Sequence, residues 1–447
     1  MSTVLATGIL RRISKKYNIF IDIPNKNRKF HSRPTPVIGG IGILSGFLIG
    51  ILTFLLVGNF VFVKNEASFV SVSSLELLTD YKIDKFDISL KIDNEAGDTF
   101  VHEINDEGDK KSSLKLTRLE NGKFIASIND KDGLEFTVEG NKVENSETGE
   151  IFIFSKELTS SLLRLDKFTV GLLIASIVII LISIIDDYLT KGLNPFVRLS
   201  LQAIISMILI LYSDIKLNNL GFNILGNSIE LGLYSIPFTI FAVIGITNAF
   251  NMSDGLNGLC ASLCISCIIL LIVVTWASPI NYILIILVSC LLGFLMYNLG
   301  LFGRKRRVFL GDNGSTFLGF LVAWFCIYFS EYSTGFIKPV TALWFVAIPL
   351  IDCISLIWFR ISIGNKPFEP DRNHIHHMLF EKLSFIRDKQ IREFSTLLIL
   401  LVASILLGVT GLIQENYNVN PNLSLLSIVS IGFLYHFQMR IFRQKKN

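Results

Sequence analysis

The chain has 447 residues, is 51% hydrophobic and 17% charged, and has a mean hydropathy of +0.55. That profile excludes an ordinary soluble domain and a disordered chain, and fits a polytopic membrane protein. The net charge of +4 conceals an asymmetry: residues 64–166 hold 22 of the 37 acidic and 13 of the 41 basic residues, so the apolar remainder carries 28 basic against 15 acidic. An acidic insert interrupts a basic membrane body, whose charge suits a membrane surface and not nucleic acid.

Residues 1–20 carry Arg11, Arg12, Lys15 and Lys16, so they are too short and too charged for a span, and no cleavable signal sequence is evident. Residues 22–36 (DIPNKNRKFHSRPTP) are basic and proline-broken, an exposed loop. The first span is expected from Val37 to Val63, opening on Gly39 and Gly40. In 64–166, alternating runs such as KFIASI and LEFTV are punctuated by Asn121-Gly122, Asp132-Gly133, Gly140-Asn141 and Thr148-Gly149, the signature of a small antiparallel β domain.

Nine further apolar runs follow, near 168–185, 196–213, 233–249, 257–275, 280–300, 314–330, 339–361, 394–413 and 422–440. The expected fold is thus an all-α polytopic membrane protein of about ten transmembrane helices with one inserted antiparallel β domain. Residues 1–63 and 167–447 form the membrane domain and 64–166 the insert. The six cysteines lie in apolar runs and none lies in the insert, so they read as buried hydrophobes and not as a disulfide framework.

With ten spans both termini share a side. The basic stretches Arg304 to Arg307, Arg360 to Arg392 and the tail RQKKN then fall together with the N-terminus, whereas the opposite short loops offer little beyond Lys216 and Lys338. The positive-inside rule makes the basic side cytoplasmic; long loops do not count in it, so the acidic insert is expected to be extracytoplasmic.

The polar constellations fall on that same cytoplasmic face. The most informative is NAFNMSDGLNG, residues 248–258, where Asn248, Asn251, Asp254 and Asn257 recur at a spacing of three at the end of an apolar run. Asp-Gly and Asn-Gly also mark ordinary turns, but a turn does not require that spacing. Asp186 and Asp187 close another span; adjacent carboxylates repel, so a cation, a proton-transfer role or a solvated helix end would account for them. GDNGS (311–315) sets Asp312 before a span where helix N-terminal amides can face an anion, and the upstream RKRR serves either an anionic ligand or membrane anchoring.

Carboxylates, glycine turns and basic groups suit Mg²⁺ or Mn²⁺ held with phosphate better than structural zinc. His374, His376 and His377 in DRNHIHH have no thiolate or HExxH context for zinc. Asp352, three residues after Pro349, lies deep in a span, where a carboxylate has either a functional role or a buried partner.

These motifs together resemble the polyprenyl-phosphate N-acetylhexosamine-1-phosphate transferases, over about residues 22–63 and 167–390. The resemblance is carried by PNKNRKFHSRPTPVIGG, DDYLTKGLNP, NAFNMSDGLNG, FLGDNGSTFLG and PFEPDRNHIHHML in this order. PDRNHIHH is similar to the bacterial branch that uses UDP-GlcNAc or a close relative; the branch using UDP-MurNAc-pentapeptide has a different histidine loop and ranks lower. The family implies transfer of a sugar 1-phosphate from a UDP-N-acetylhexosamine to undecaprenyl phosphate with release of UMP, in a bacterial cell membrane, with Mg²⁺ (or Mn²⁺) as cofactor. It implies that Asp186 deprotonates the lipid phosphate, with Asp187 beside it, and that Asp312 ligates the metal. Asn251 and Asp254, grouped with Asn248 and Asn257 of the same knot, would meet the nucleotide sugar, and His374, His376, His377 and Arg372 the diphosphate side. Lys29, His31 and Arg33 of the first loop are further substrate-binding candidates.

The chain departs from the family in two ways. Members usually have another span before the first loop, so either an upstream segment or a basic amphipathic helix on the membrane surface is expected here. The family implies no function for the insert, which is expected to be a partner-binding or regulatory domain with an unknown extracytoplasmic partner; a homodimer is a further expectation. The competing reading from another class is a transporter of lipid-linked intermediates, which would show polar sites near the midplane and inverted repeats. A catalytically dead scaffold would be expected to have lost some of the five motifs.

Overall fold

In the computed structural model the described residues are 1–23, 33–61, the strands between 88 and 153, 167–188, 193–224, 227–275, 280–331, 336–367 and 371–446. Contacts divide the chain into two compact units, Met1–Leu56 with Leu163–Asn447, and Val57–Leu162.

The larger unit is helical. Its order is α1 (Ser2–Tyr17), α2 (Gly39–Val61), α3 (Lys167–Tyr188), α4 (Pro195–Ser213), α5 (Ser235–Met252), α6 (Leu259–Val274), α7 (Asn281–Asn298), α8 (Gly311–Glu331), α9 (Pro339–Phe345), α10 (Ala347–Ser362), α11 (Ile375–Lys382), α12 (Lys389–Asn416) and α13 (Pro421–Lys446). Eight of these, α2, α3, α4, α5, α7, α8, α12 and α13, are long and apolar enough to cross a membrane, and the pair α9 and α10 makes a ninth that is bent by 85°. Pro349 lies in the first turn of α10 and has no N–H for the Phe345 carbonyl, which accounts for the break. The expected span at 257–275 is shorter than the rest: α6 has 16 residues, about 24 Å of helix against a hydrocarbon core of about 30 Å. Among the described residues eight or nine of the expected spans thus pass on length and composition, and α6 is the shorter apolar helix at the position of the remaining one.

The bundle is organised around α8, whose residues from Asn313 to Phe329 are all buried and which packs on α5, α3, α6 and α9. Its aromatic side chains Phe317, Phe320, Trp324 and Phe329 are sealed from solvent. Close approach requires small residues: a Cβ at Gly319 would lie 2.8 Å from the Thr247 carbonyl oxygen on α5, and one at Gly40 would lie 2.5 Å from Gly314 Cα. The second contact joins the start of α2 to the start of α8.

The N-terminal helix is tied to the bundle. α1 packs by Thr3 and Thr7 against Gly46 and Gly42 of α2, Ser2 Oγ donates to the Gly46 carbonyl at 3.0 Å, and Tyr297 Oη of α7 donates to the Val4 carbonyl at 3.2 Å. Its exposed side carries Leu5, Ile9 and Ile13, and toward the C-terminal end Arg12, Lys15 and Lys16.

Two short antiparallel pairs accompany the helices. β1 (Ile21–Asp22) pairs with β2 (Thr35–Pro36), and β10 (Asn219–Ile224) with β11 (Asn227–Glu230) between α4 and α5, a hairpin not anticipated from the sequence. The smaller unit is the expected β domain: β3 (Ile88–Ile92), β4 (Thr99–Asn105), β5 (Lys111–Arg118), β6 (Phe124–Ile128), β7 (Leu134–Glu139), β8 (Lys142–Asn145) and β9 (Ile151–Ile153) form one antiparallel sheet in strict sequence order. Its anticipated turn dipeptides lie outside the described residues.

Candidate active site

The last turns of α5 carry two of the four polar residues of the knot into the bundle. Asn248 donates through Nδ2 to Gln202 Oε1 on α4 at 2.9 Å and to the Ile244 carbonyl at 2.8 Å, while Asn251 Nδ2 donates to Ser315 Oγ at 2.9 Å and Thr316 Oγ1 at 3.3 Å on α8. A spacing of three keeps both on neighbouring faces of one helix. The chain then turns into α6 through Gly258, whose φ of 81° is a left-handed conformation suited to glycine.

Asp254 sits in that turn and accepts a hydrogen bond from the Gly311 N–H. Gly311 also has positive φ, and a Cβ there would lie 2.2 Å from Val37 Cγ1, so glycine is the residue that fits. Asp312 occupies the first turn of α8, at the positive end of its dipole. Burial and the nearby Asp312 charge together hold the Asp254 carboxyl well above the usual carboxylate range. The first loop is stitched to the same place: Phe309 N donates to the Pro36 carbonyl at 2.8 Å, and Gly39 N to the Phe309 carbonyl at 3.0 Å.

The histidine loop closes the other side. His374 caps α11 in position, and its Nδ1 lies 2.9 Å from Asp352 Oδ2, which settles the partner of that intramembrane carboxylate. His376 is 2% exposed, its ring 5.4 Å from that of His374 and 4.2 Å from that of His377, and its Nε2 is buried without a hydrogen-bond partner. A Cβ on Gly255 would lie 2.0 Å from that nitrogen, so the knot and the histidine loop touch through a glycine. Burial, and next the neighbouring imidazoles, push His376 well below the ordinary histidine value, so the ring is neutral at pH 7.

Between these walls lies a cavity of about 1350 Å³, larger than a typical small-ligand pocket of roughly 300–1,000 Å³. It brings together Asp254, Asn257, Asp312, Arg33, His376 and His377 of the anticipated residues. Asn248, Asn251, His374 and Arg372 are outside its lining; the first two fasten α5 to α4 and α8, and His374 is turned to Asp352. Asp186 is also outside the lining, between Arg198 Nη1 at 3.7 Å and the Leu193 N–H. Lys29 and His31 lie outside the described residues, as does the side chain of Asp187.

Sequence reasoning passed over the wall contributed by the start of α12. Asp388 caps that helix, accepting from Gln390 N at 2.7 Å and Ile391 N at 3.0 Å; Asn257 Nδ2 donates to Glu393 Oε2 at 3.4 Å, and Arg304 donates to Gln390 Oε1. Asp388 directly before a periodic apolar run was a cap signal, but it lay in a stretch read only as a basic connector.

No group of three or more His, Cys, Asp or Glu among the described residues forms a metal cage. Asp254 and Asp312 nevertheless fit a hard divalent cation: two neighbouring carboxylates in a cavity with room for phosphate oxygens and water to complete an oxygen shell. A deep cavity at one end of apolar helices, with adjoining carboxylates, a helix N-terminus and a cationic rim of Arg33, Arg304 and Arg307, defines a membrane protein able to handle a charged, phosphate-bearing substrate.

The sequence profile of glycosyl transferase family 4 matches residues 169–330. The undecaprenyl-phosphate alpha-N-acetylglucosaminyl 1-phosphate transferase of Escherichia coli O157:H7 is 32% identical over 262 residues, 58% of this chain and 69% of the relative. The protein of the same description in Haemophilus influenzae is 36% identical over 267 residues, 59% of this chain and 72% of the relative, and that of Salmonella typhi is 32% identical over 267 residues, 59% and 70%. The chain belongs to this family of membrane transferases.

Proposed function

We propose that the protein transfers GlcNAc 1-phosphate from UDP-GlcNAc to undecaprenyl phosphate, releasing UMP, at the cytoplasmic face of a bacterial cell membrane. The observation that carries this reading is the juxtaposition of Asp254 and Asp312 at the N-terminus of α8 inside the large cavity. The names of the relatives and the PDRNHIHH loop favour GlcNAc as the sugar.

In the reaction an oxygen of the lipid phosphate attacks the β-phosphorus of the donor; the bond from that phosphorus to the bridging oxygen breaks, and its electron pair leaves with UMP. A divalent cation, Mg²⁺ or Mn²⁺, held by Asp312 with Asp254 would supply positive charge to the diphosphate as negative charge builds on the leaving group. The neutral His376, with its unpartnered Nε2 at the cavity wall, together with His377, orients the diphosphate. Arg33, Arg304 and Arg307 draw the anionic donor into the cavity. Asn257, held by Glu393, is offered to the nucleotide sugar, while Asn248 and Asn251 keep the knot on α4 and α8. Asp186 and Asp187, at the end of α3, are assigned to proton removal from the lipid phosphate, with Arg198 Nη1 lying 3.7 Å from Asp186 Oδ2. Lys29 and His31 complete the first loop's contribution.

The test is mass analysis of the lipid product made by purified protein from undecaprenyl phosphate, Mg²⁺ and a panel of UDP-N-acetylhexosamines, UDP-MurNAc-pentapeptide included. A lipid diphosphate carrying one N-acetylglucosamine is expected; a MurNAc-pentapeptide product would overturn the sugar, and no product from folded protein would overturn the reaction. Residues 64–166 form, on this reading, an extracytoplasmic partner-binding or regulatory domain. Replacing 66–164 with a Gly/Ser link should leave turnover in detergent intact, and its loss from a folded variant would refute that.

A further inference from the structure

The histidine loop is held by a buried polar network that the transferase chemistry does not itself require. Asp352 on α10 accepts from His374 Nδ1 at 2.9 Å, from the Ile375 N–H at 3.2 Å and from Tyr435 Oη at 2.5 Å, and Arg443 Nη2 is 3.6 Å away. Three hydrogen-bond donors and one ion-pair partner thus surround one carboxylate. Arg443, fully buried, also donates from Nε to the Asn373 carbonyl at 3.0 Å and from Nη1 to the Ser355 carbonyl and Oγ at 3.2 and 3.0 Å. A second tie joins α11 to the same helix: Lys382 Nζ lies 3.5 Å from the Phe442 ring centroid.

Both Tyr435 and Arg443 belong to α13, the last helix, beyond the residues matched by the family profile. An arginine, a tyrosine hydroxyl and an aspartate buried between membrane helices are costly, and apolar packing would hold α10 to α13 at lower cost. Instead Arg443 donates to the Asn373 carbonyl, and Asp352 accepts from His374 and Ile375, so the network grips the three residues that launch α11 and therefore aim His376 and His377 into the cavity.

We propose that α13 is the positioning element of the active site: Tyr435 and Arg443, acting through Asp352 and the Asn373 carbonyl, fix His374 with its proton on Nδ1 and set the start of α11 so that His376 and His377 meet the donor diphosphate. Tyr435 and Arg443 are positioning residues, since neither is part of the cavity lining. The proposal rests on the transferase reading for its kinetic consequence and on geometry alone for its structural one.

The experiment compares wild type, Tyr435→Phe and Arg443→Lys by steady-state kinetics in both substrates and by hydrogen exchange of the segment 371–382. Tyr435→Phe keeps the ring and loses one hydrogen bond to a charged acceptor, so the KM for UDP-GlcNAc should rise roughly tenfold. The KM for undecaprenyl phosphate should stay put. Arg443→Lys keeps the charge but loses the fork that reaches three acceptors, so it should not rescue the site and should show the same selective rise. Exchange in 371–382 should quicken in both variants while α8 remains protected. A fall in kcat with both KM values unchanged, or unaltered exchange in 371–382, would overturn the proposal. If wild type releases no UMP, the transferase reading fails and the exchange result alone decides the positioning claim. A variant that cannot be recovered folded leaves the other to give the same two readouts.

Discussion

The two sides of the cavity use similar residues and leave them in opposite states. On the knot side, Asp254 feels the charge of nearby Asp312 and has the Gly311 N–H to set against it. On the histidine side, Asp352 is surrounded by His374, Tyr435, Ile375 and Arg443. A buried carboxylate that the fold leaves under-compensated marks where a ligand must bring positive charge. One that the fold saturates holds a loop in place and leaves the contact with substrate to the neighbours it orients, here His376 and His377.

If the knot side is the chemical side, Asp312→Asn should have the largest effect, a loss of turnover of roughly 10³-fold or more with unfolding behaviour intact. Retained UMP release would remove Asp312 from the metal site. Gly255→Ala tests the seam between the sides: its Cβ would lie 2.0 Å from His376 Nε2, so the ring must move. A displacement near 1 Å is expected to cost on the order of 10²-fold in turnover, and near-normal turnover would mean that the orientation of His376 does not matter.

Asp254→Asn carries a stability signature of the opposite sign from its effect on activity. With the folded-state pKa raised, the native protein keeps a proton that the unfolded chain has already shed, so metal-free stability falls as pH rises from the usual carboxylate value to the raised one. The variant should therefore melt higher than wild type at neutral pH in EDTA, and Mg²⁺ should raise the melting temperature of wild type more than that of the variant. Equal melting with and without Mg²⁺ in both proteins would contradict the frustrated pair. The smallest effect on chemistry is expected from Asn248→Ala. Orphaning Gln202 should cost about 1–3 kcal/mol of stability, with KM for both substrates unchanged; a selective rise in the KM for UDP-GlcNAc would return Asn248 to the substrate.

Much of this division was legible in the chain. Apolar run lengths located the helices, and the excess of acidic residues with its alternating strands delimited the insert. The three-residue spacing in 248–258 singled out the knot, but spacing does not say which amide points to a neighbour helix and which to a cavity: Asn248 and Asn251 meet α4 and α8, whereas Asn257 lines the cavity. Asp352 was visible as a buried carboxylate without a nameable partner, because Tyr435 and Arg443 are more than 80 residues away and lie in an ordinary apolar run with a basic end. The α12 wall was hidden for a similar reason, since Asp388 and Glu393 sit among the basic residues that the positive-inside pattern already accounted for. The half-buried packing of α1 depends on Gly42, Gly46 and Gly293 being opposite Thr3 and Thr7, a match between helices that no local pattern reports.

The most direct measurement is UMP release by the purified wild-type protein with UDP-GlcNAc, undecaprenyl phosphate and Mg²⁺, each omitted in turn. Release that requires all three, and that disappears when EDTA replaces the metal, is the result expected if Asp254 and Asp312 would hold a cation that supplies positive charge to the donor diphosphate. Release that persists in EDTA, or in the absence of the lipid phosphate, would contradict that account.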